Sequence, residues 1–178
     1  QTFSGTLYDH SGSLMGDRQR PLNDSLVQAG ERLIFAAEYI EFNFGVNAWD
    51  GPAMLEVRGT ETFSLMTRLE NPSGLITNTN CVTEKSLLNI EGVNSSDLSF
   101  LRIINLTDHE LSTIRATLYN KSGEAVGATG TVLFDVLAPK EQVWITKRIL
   151  IDKFGSDWSE VAMLEFEATA GLKMINLN

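Results

Sequence analysis

Shifted against itself by roughly 110 residues, this chain matches in order, and self-similarity at a fixed period means that one structural unit is built twice. Thr6-Leu7-Tyr8-Asp9-His10-Ser11-Gly12 recurs as Thr117-Leu118-Tyr119-Asn120-Lys121-Ser122-Gly123, with Gly16 and Gly127 following. Phe44-Gly45 and Trp49 recur as Phe154-Gly155 and Trp158, and Ala53-Met54-Leu55-Glu56-Val57 returns as Ala162-Met163-Leu164-Glu165-Phe166. The second copy opens on an apolar stretch, Phe100-Leu101-Arg102-Ile103-Ile104-Asn105-Leu106, whose counterpart falls before residue 1. Two domains are therefore expected: a first repeat over residues 1–69, short of its N-terminal strands, and a second over 70–178. The start at Gln1 in mid-domain reads as a piece of a larger protein. A domain short of a strand has a bare edge, so strand exchange with a neighbouring chain, or residues 75–91 turned back onto the first repeat, is expected to fill it.

Within each repeat the apolar residues alternate with period two, the mark of half-buried strands. Ala53, Leu55 and Val57 fall on one face and Met54, Glu56 and Arg58 on the other; Ala162, Leu164 and Phe166 against Met163, Glu165 and Glu167 preserve that split. Further strands are expected at 5–9, 32–36, 63–69, 100–106, 114–120, 143–146 and 172–176, with hairpin loops at Asp9–Gly12 and Asn120–Gly123. One short helix interrupts each copy. Thr146 can cap it, Leu150 and Phe154 lie on one face, and Gly155 ends it; Ile40, Phe44 and Gly45 repeat the pattern. The fold class expected is all-β, two tandem antiparallel β-sandwich (immunoglobulin-like) domains, each with one short helix. The Cys…Trp…Cys frame of antibody domains is absent.

Charge narrows the partners. A formal net charge of -9 and a pI near 4.7 oppose binding to nucleic acid, whose phosphates demand a basic face. No apolar run approaches the ~20 residues of a membrane span, so no membrane insertion is expected. The single cysteine, Cys81, cannot form an internal disulfide, and with two histidines it cannot complete a zinc site.

Catalytic motifs are equally scarce. His10 and His109 fall in predicted turns, with no nucleophile elbow, zinc-protease helix or phosphate-cradling loop in the sequence, so no enzyme and no cofactor is expected. Asp9, Asp17, Asp50, Asp108, Glu110 and Asp157 lie in or near loops where calcium takes its oxygen ligands, but none forms a calcium loop, and they read as solvated charges. Asn-x-Ser/Thr sequons begin at Asn23, Asn94, Asn105 and Asn120, in a chain rich enough in these residues to produce such triplets by chance. Trp49 and Trp158 occupy equivalent places, and each is expected to be buried beside the Phe of its helix. The alternative is a glycan-binding role for Trp49, Trp144 and Trp158, each stacking a sugar ring on its indole face.

Asn89-Ile90-Glu91-Gly92, then Phe100–Asn105, Thr117-Leu118-Tyr119-Asn120 and Gly123, resemble the tandem β-sandwich repeats of secreted or surface-anchored proteins of aquatic and other Gram-negative bacteria. The resemblance covers residues 80–178 well and 1–69 in part, and it rests on strand and turn patterns. It implies an extracellular or cell-surface location and a non-enzymatic module acting in adhesion or as a structural stalk, with a glycan or cell-surface protein as partner. A carbohydrate-binding module pair attached to a secreted hydrolase is the second reading.

Overall fold

The structure, a computed structural model, describes residues 1–47, 51–70, 76–80, 89–94, 100–155, 161–167 and 171–177. The chain forms two compact units, Gln1–Cys81 and Val82–Asn178. The first holds β1 (Phe3–Tyr8), β2 (Leu14–Pro21), α1 (Ala37–Phe44), β3 (Met54–Gly59), β4 (Met66–Glu70) and β5 (Ile76–Asn80). The second holds β6 (Asn89–Asn94), β7 (Phe100–Asn105), β8 (Leu111–Tyr119), β9 (Ala125–Leu137), β10 (Gln142–Ile145), α2 (Lys147–Phe154), β11 (Val161–Phe166) and β12 (Leu172–Leu177). All described pairings are antiparallel, so the all-β class holds. The division falls later than the expected 69/70 boundary because β5 turns back to pair with β4, which places it in the first unit.

The duplication extends to register. In the first unit the sheet order is β2-β1-β3, with Leu7 opposite Leu55, Tyr8 opposite Met54 and Thr6 opposite Glu56. In the second, β9, β8 and β11 repeat this: Leu118 faces Leu164, Tyr119 faces Met163 and Thr117 faces Glu165. Even the irregularity recurs. The β1–β2 ladder shifts register between Gly5 and Leu7, and the β8–β9 ladder between Ala116 and Leu118. At each shift a buried threonine hydroxyl accepts a backbone N–H: Thr6 Oγ1 from Gln19 at 3.0 Å, Thr117 Oγ1 from Gly130 at 2.9 Å. Gln19 and Gly130 both adopt positive φ, 52° and 62°.

The same strand carries the glycine that seats the helix. Gly16 and Gly127 have φ of 73° and 72°. A Cβ at Gly16 would overlap the Phe44 carbonyl oxygen, and one at Gly127 would lie 3.1 Å from that of Phe154. Only glycine combines this backbone with so close an approach. That contact links two motifs far apart in the sequence, the glycine after the hairpin and the Phe-Gly at the helix end.

The units differ in how much core they close. In the second, β8, β9 and β11 of one sheet and β7, β10 and β12 of the other contribute to a single cluster of fourteen buried residues, together with Leu150 and Phe154 of α2. In the first, among the described residues, the buried core cluster holds Leu7, Leu22 and Phe44, and Leu55 and Val57 pack on it half-buried. Their counterparts Leu164 and Phe166 are buried.

Three expectations change. Residues 32–36 are not a strand; they run irregularly into α1. Strands β2 and β9 were not expected, since glycines and polar residues interrupt their alternation. The strand order also departs from the immunoglobulin constant pattern. Counted within the second unit, one sheet runs first-sixth-third-fourth and the other fifth-second-seventh, against first-second-fifth-fourth and third-sixth-seventh.

Candidate functional site

Of the three tryptophans, Trp144 lies within the described residues; Trp49 and Trp158 lie outside them. The alternation that sends Val143 and Ile145 toward the core puts Gln142 and Trp144 on the opposite face of β10. β7 pairs with β10 so that Arg102 stands opposite Trp144 and Ile104 opposite Gln142. Three polar-capable side chains thus meet on the non-core face of the β10-β7-β12 sheet.

Their geometry is tight. The Arg102 guanidinium carbon sits 4.0 Å from the centroid of a Trp144 ring, within the range for a cation–π contact. Arg102 Nη1 donates to Gln142 Oε1 at 3.0 Å. Gln142 is 5 % exposed, and its Nε2, like Arg102 Nε, is buried with no hydrogen-bond acceptor among the described residues. Burial lowers the Arg102 pKa, and the guanidinium remains charged at any physiological pH. Two buried donors without acceptors carry a desolvation cost of about 1–3 kcal/mol each, so an incoming carboxylate or hydroxyl oxygen would be favoured there. Both donors are shielded from solvent, however, so an acceptor reaches them only if the covering side chains move. Trp144 is half-buried and stacked by Arg102, a ring held in place more than an open platform.

A second polar feature is duplicated. Tyr119 Oη donates to Glu165 Oε2 at 2.8 Å, and Tyr8 Oη to Glu56 Oε2 at 3.5 Å. The hydrogen bond to Glu165 raises the Tyr119 pKa, with desolvation and the carboxylate charge adding to it. Each pair ties a central strand to its neighbour, β8 to β11 and β1 to β3.

The loop carboxylates are used locally. Asp9 organises its own turn, Asp17 pairs with Arg20 at 2.8 Å, and Asp108 pairs with buried Lys140 at 3.2 Å. Glu110 is exposed, while Asp50 and Asp157 lie outside the described residues, as does Cys81. Among the described residues no three His, Cys, Asp or Glu side chains gather where a metal ion could be held. No described helix is long and apolar enough to cross a membrane.

Sequence reasoning identified Trp144 but not Arg102 or Gln142. Alternation alone places Arg102 on the outer face of its strand; only the cross-strand register brings it to Trp144. The Tyr–Glu pairs sat inside the two repeated motifs, Thr-Leu-Tyr and Ala-Met-Leu-Glu, so the repeat itself carried that signal. No protein-family model matches the chain, and no solved structure matches it significantly.

Proposed function

We propose that the chain is a non-enzymatic pair of β-sandwich repeats from an extracellular bacterial protein, acting in adhesion or as a structural stalk. In this reading the second unit is a two-layer sandwich, immunoglobulin-like in its layering but with its own strand order. The observation that carries it is the content of the duplication. What both units keep is framework: the hairpin turn, the threonine at the register shift, the glycine under the helix end and the Tyr–Glu tie. Two copies of a catalytic or ligand-binding unit would be expected to repeat site chemistry as well, whereas Trp144 matches Ile34 in the first copy.

Support for the carbohydrate-binding reading is the Arg102–Gln142–Trp144 group, an aromatic ring beside two hydrogen-bond donors. A glycan array with the full chain, paired with isothermal titration, separates the two. The stalk reading expects no saturable glycan binding and two discrete unfolding events under load. Saturable binding of one glycan class, abolished in Trp144→Ala with β8 and β11 still protected from hydrogen exchange, would overturn it.

A further inference from the structure

Between β2 and α1 the chain makes a long excursion, residues 22–36, that belongs to neither strand nor helix. Its two ends are tied together. Tyr39 Oη donates to the Leu22 carbonyl at 3.0 Å, Asn43 Nδ2 donates to that of Pro21 at 2.9 Å, and Leu22 shares the core cluster with Phe44. The first part of the excursion is anchored as well. Leu22 N–H donates to the Phe3 carbonyl, Val27 N–H to that of Gln1, and Glu31 N–H closes a turn on Gln28 at 3.2 Å. Beyond that turn the anchors stop. Residues 32–35 join no ladder, and no described residue hydrogen-bonds their backbone. Arg32 is exposed, with no ion pair among the described residues, and beyond it Leu33 is 39 % and Ile34 87 % exposed. In the second unit the matching segment, Val143-Trp144-Ile145 before the helix cap Thr146, lies in β10 and is held by β7.

We propose that the Arg32–Leu33 peptide bond is a cleavage site for an arginine-directed endoprotease, and that the cut chain stays assembled. Recognition of an extended peptide draws affinity from main-chain hydrogen bonds and specificity from side chains in pockets. In trypsin-like proteases a carboxylate in the pocket for the residue before the scissile bond selects that residue as a cation. Residues 32–35 offer the free backbone, and Arg32 offers the side chain. On the N-terminal side only the two hydrogen bonds of the exposed Gln28–Glu31 turn have to open. Water adds across the amide, the C–N bond breaks, and Arg32 is left with a carboxylate and Leu33 with an ammonium group. The competing cations are worse placed. Every other arginine and lysine among the described residues stands on a strand or on α2, except buried Lys140 and Lys121, which sits in a hairpin turn closed by Asn120. After the cut, the β1–β3 ladder, the two bonds from α1 to Pro21 and Leu22, and the packing of Leu7 and Leu22 with Phe44 still hold residues 1–32 in place. The inference is independent of the adhesive or glycan-binding role.

The test exposes the full chain to a low ratio of trypsin and follows it by intact-mass spectrometry in denaturant and by native size-exclusion chromatography. The first products are expected to be residues 1–32 and 33–178, eluting together at the volume of the uncut chain. Arg32→Gln is expected to slow the first cut by about tenfold or more, because the remaining sites open only when their strands or helix do. Leu33→Pro keeps the arginine, removes an N–H that no described residue uses, and blocks trypsin at that bond, so it is expected to slow the first cut equally. A first cut after any other lysine or arginine overturns the cleavage site, as does an undiminished rate in both variants. Separation of the two products before denaturant is added overturns the claim that the cut chain stays assembled.

Discussion

Asp9 and Asn120 do the same work with different chemistry. Asp9 Oδ1 accepts the N–H groups of Ser11 and Ser13 at 2.8 and 2.9 Å, and Asn120 Oδ1 accepts those of Ser122 and Glu124 at 2.9 and 3.0 Å. Partial burial pushes the Asp9 pKa up, but the hydrogen bonds from Ser11 Oγ and from the two backbone N–H groups, with the charge of His10, outweigh it and hold the pKa below the ordinary value. A carboxylate whose pKa is lowered by folding stabilises the folded state above its unfolded pKa of about 3.9, and that contribution is lost as the pH falls through the lowered value. Asp9→Asn is therefore expected to leave stability at pH 7 nearly unchanged and to flatten the acid-side decline of the first unit. Asn120→Asp is expected to introduce such a decline in the second. Denaturation midpoints between pH 2.5 and 7, read by hydrogen exchange in β1 and β8, check both.

The two short helices show what local sequence can and cannot supply. Thr146 caps α2 by accepting the Ile149 N–H at 3.4 Å, whereas Ala36 at the start of α1 has the same backbone and no side-chain cap. Ala36→Ser should stabilise α1 by about 1 kcal/mol, visible as a higher unfolding midpoint for the first unit alone. No gain, or a loss of protection in α1, would show that the first helix is held only by its packing through Phe44. That packing is not local. The helix ends where its last carbonyl meets Gly16 of β2, so its position depends on a contact that spans the fold.

Between the two units the difference is coverage. Among the described residues, the second unit's buried core cluster holds fourteen residues and the first unit's three. Burying one such side chain contributes about 1.5–3 kcal/mol, so the second unit is expected to be the more stable by a wide margin. Unfolding in denaturant should proceed in two steps, with residues 1–81 exchanging their amides before residues 82–178. Leu164→Ala should lower the second step by about 2–5 kcal/mol, while Leu55→Ala, at the equivalent but half-covered position, lowers the first by less. One cooperative transition, or equal losses for the two variants, would mean that the first core is better closed than its exposure indicates.

The repeat, the antiparallel all-β class, both helices with their glycine ends and the two hairpin turns were legible in the residues, because each is specified by neighbours within a few positions: alternation, caps and turn chemistry. Residues 32–36 show where that information stops. Leu33-Ile34-Phe35 has the apolar content of a strand, but a strand forms only where a partner backbone lies beside it, and among the described residues none does. The same holds for the side-chain group around Trp144. Its tryptophan was evident, but its arginine and glutamine came from a register that depends on which strands meet. Strand order, the later division between the units and the unequal closure of the two cores are likewise set by long-range pairing, whose free energy depends on contacts between residues far apart in the chain and not on the propensities of either one.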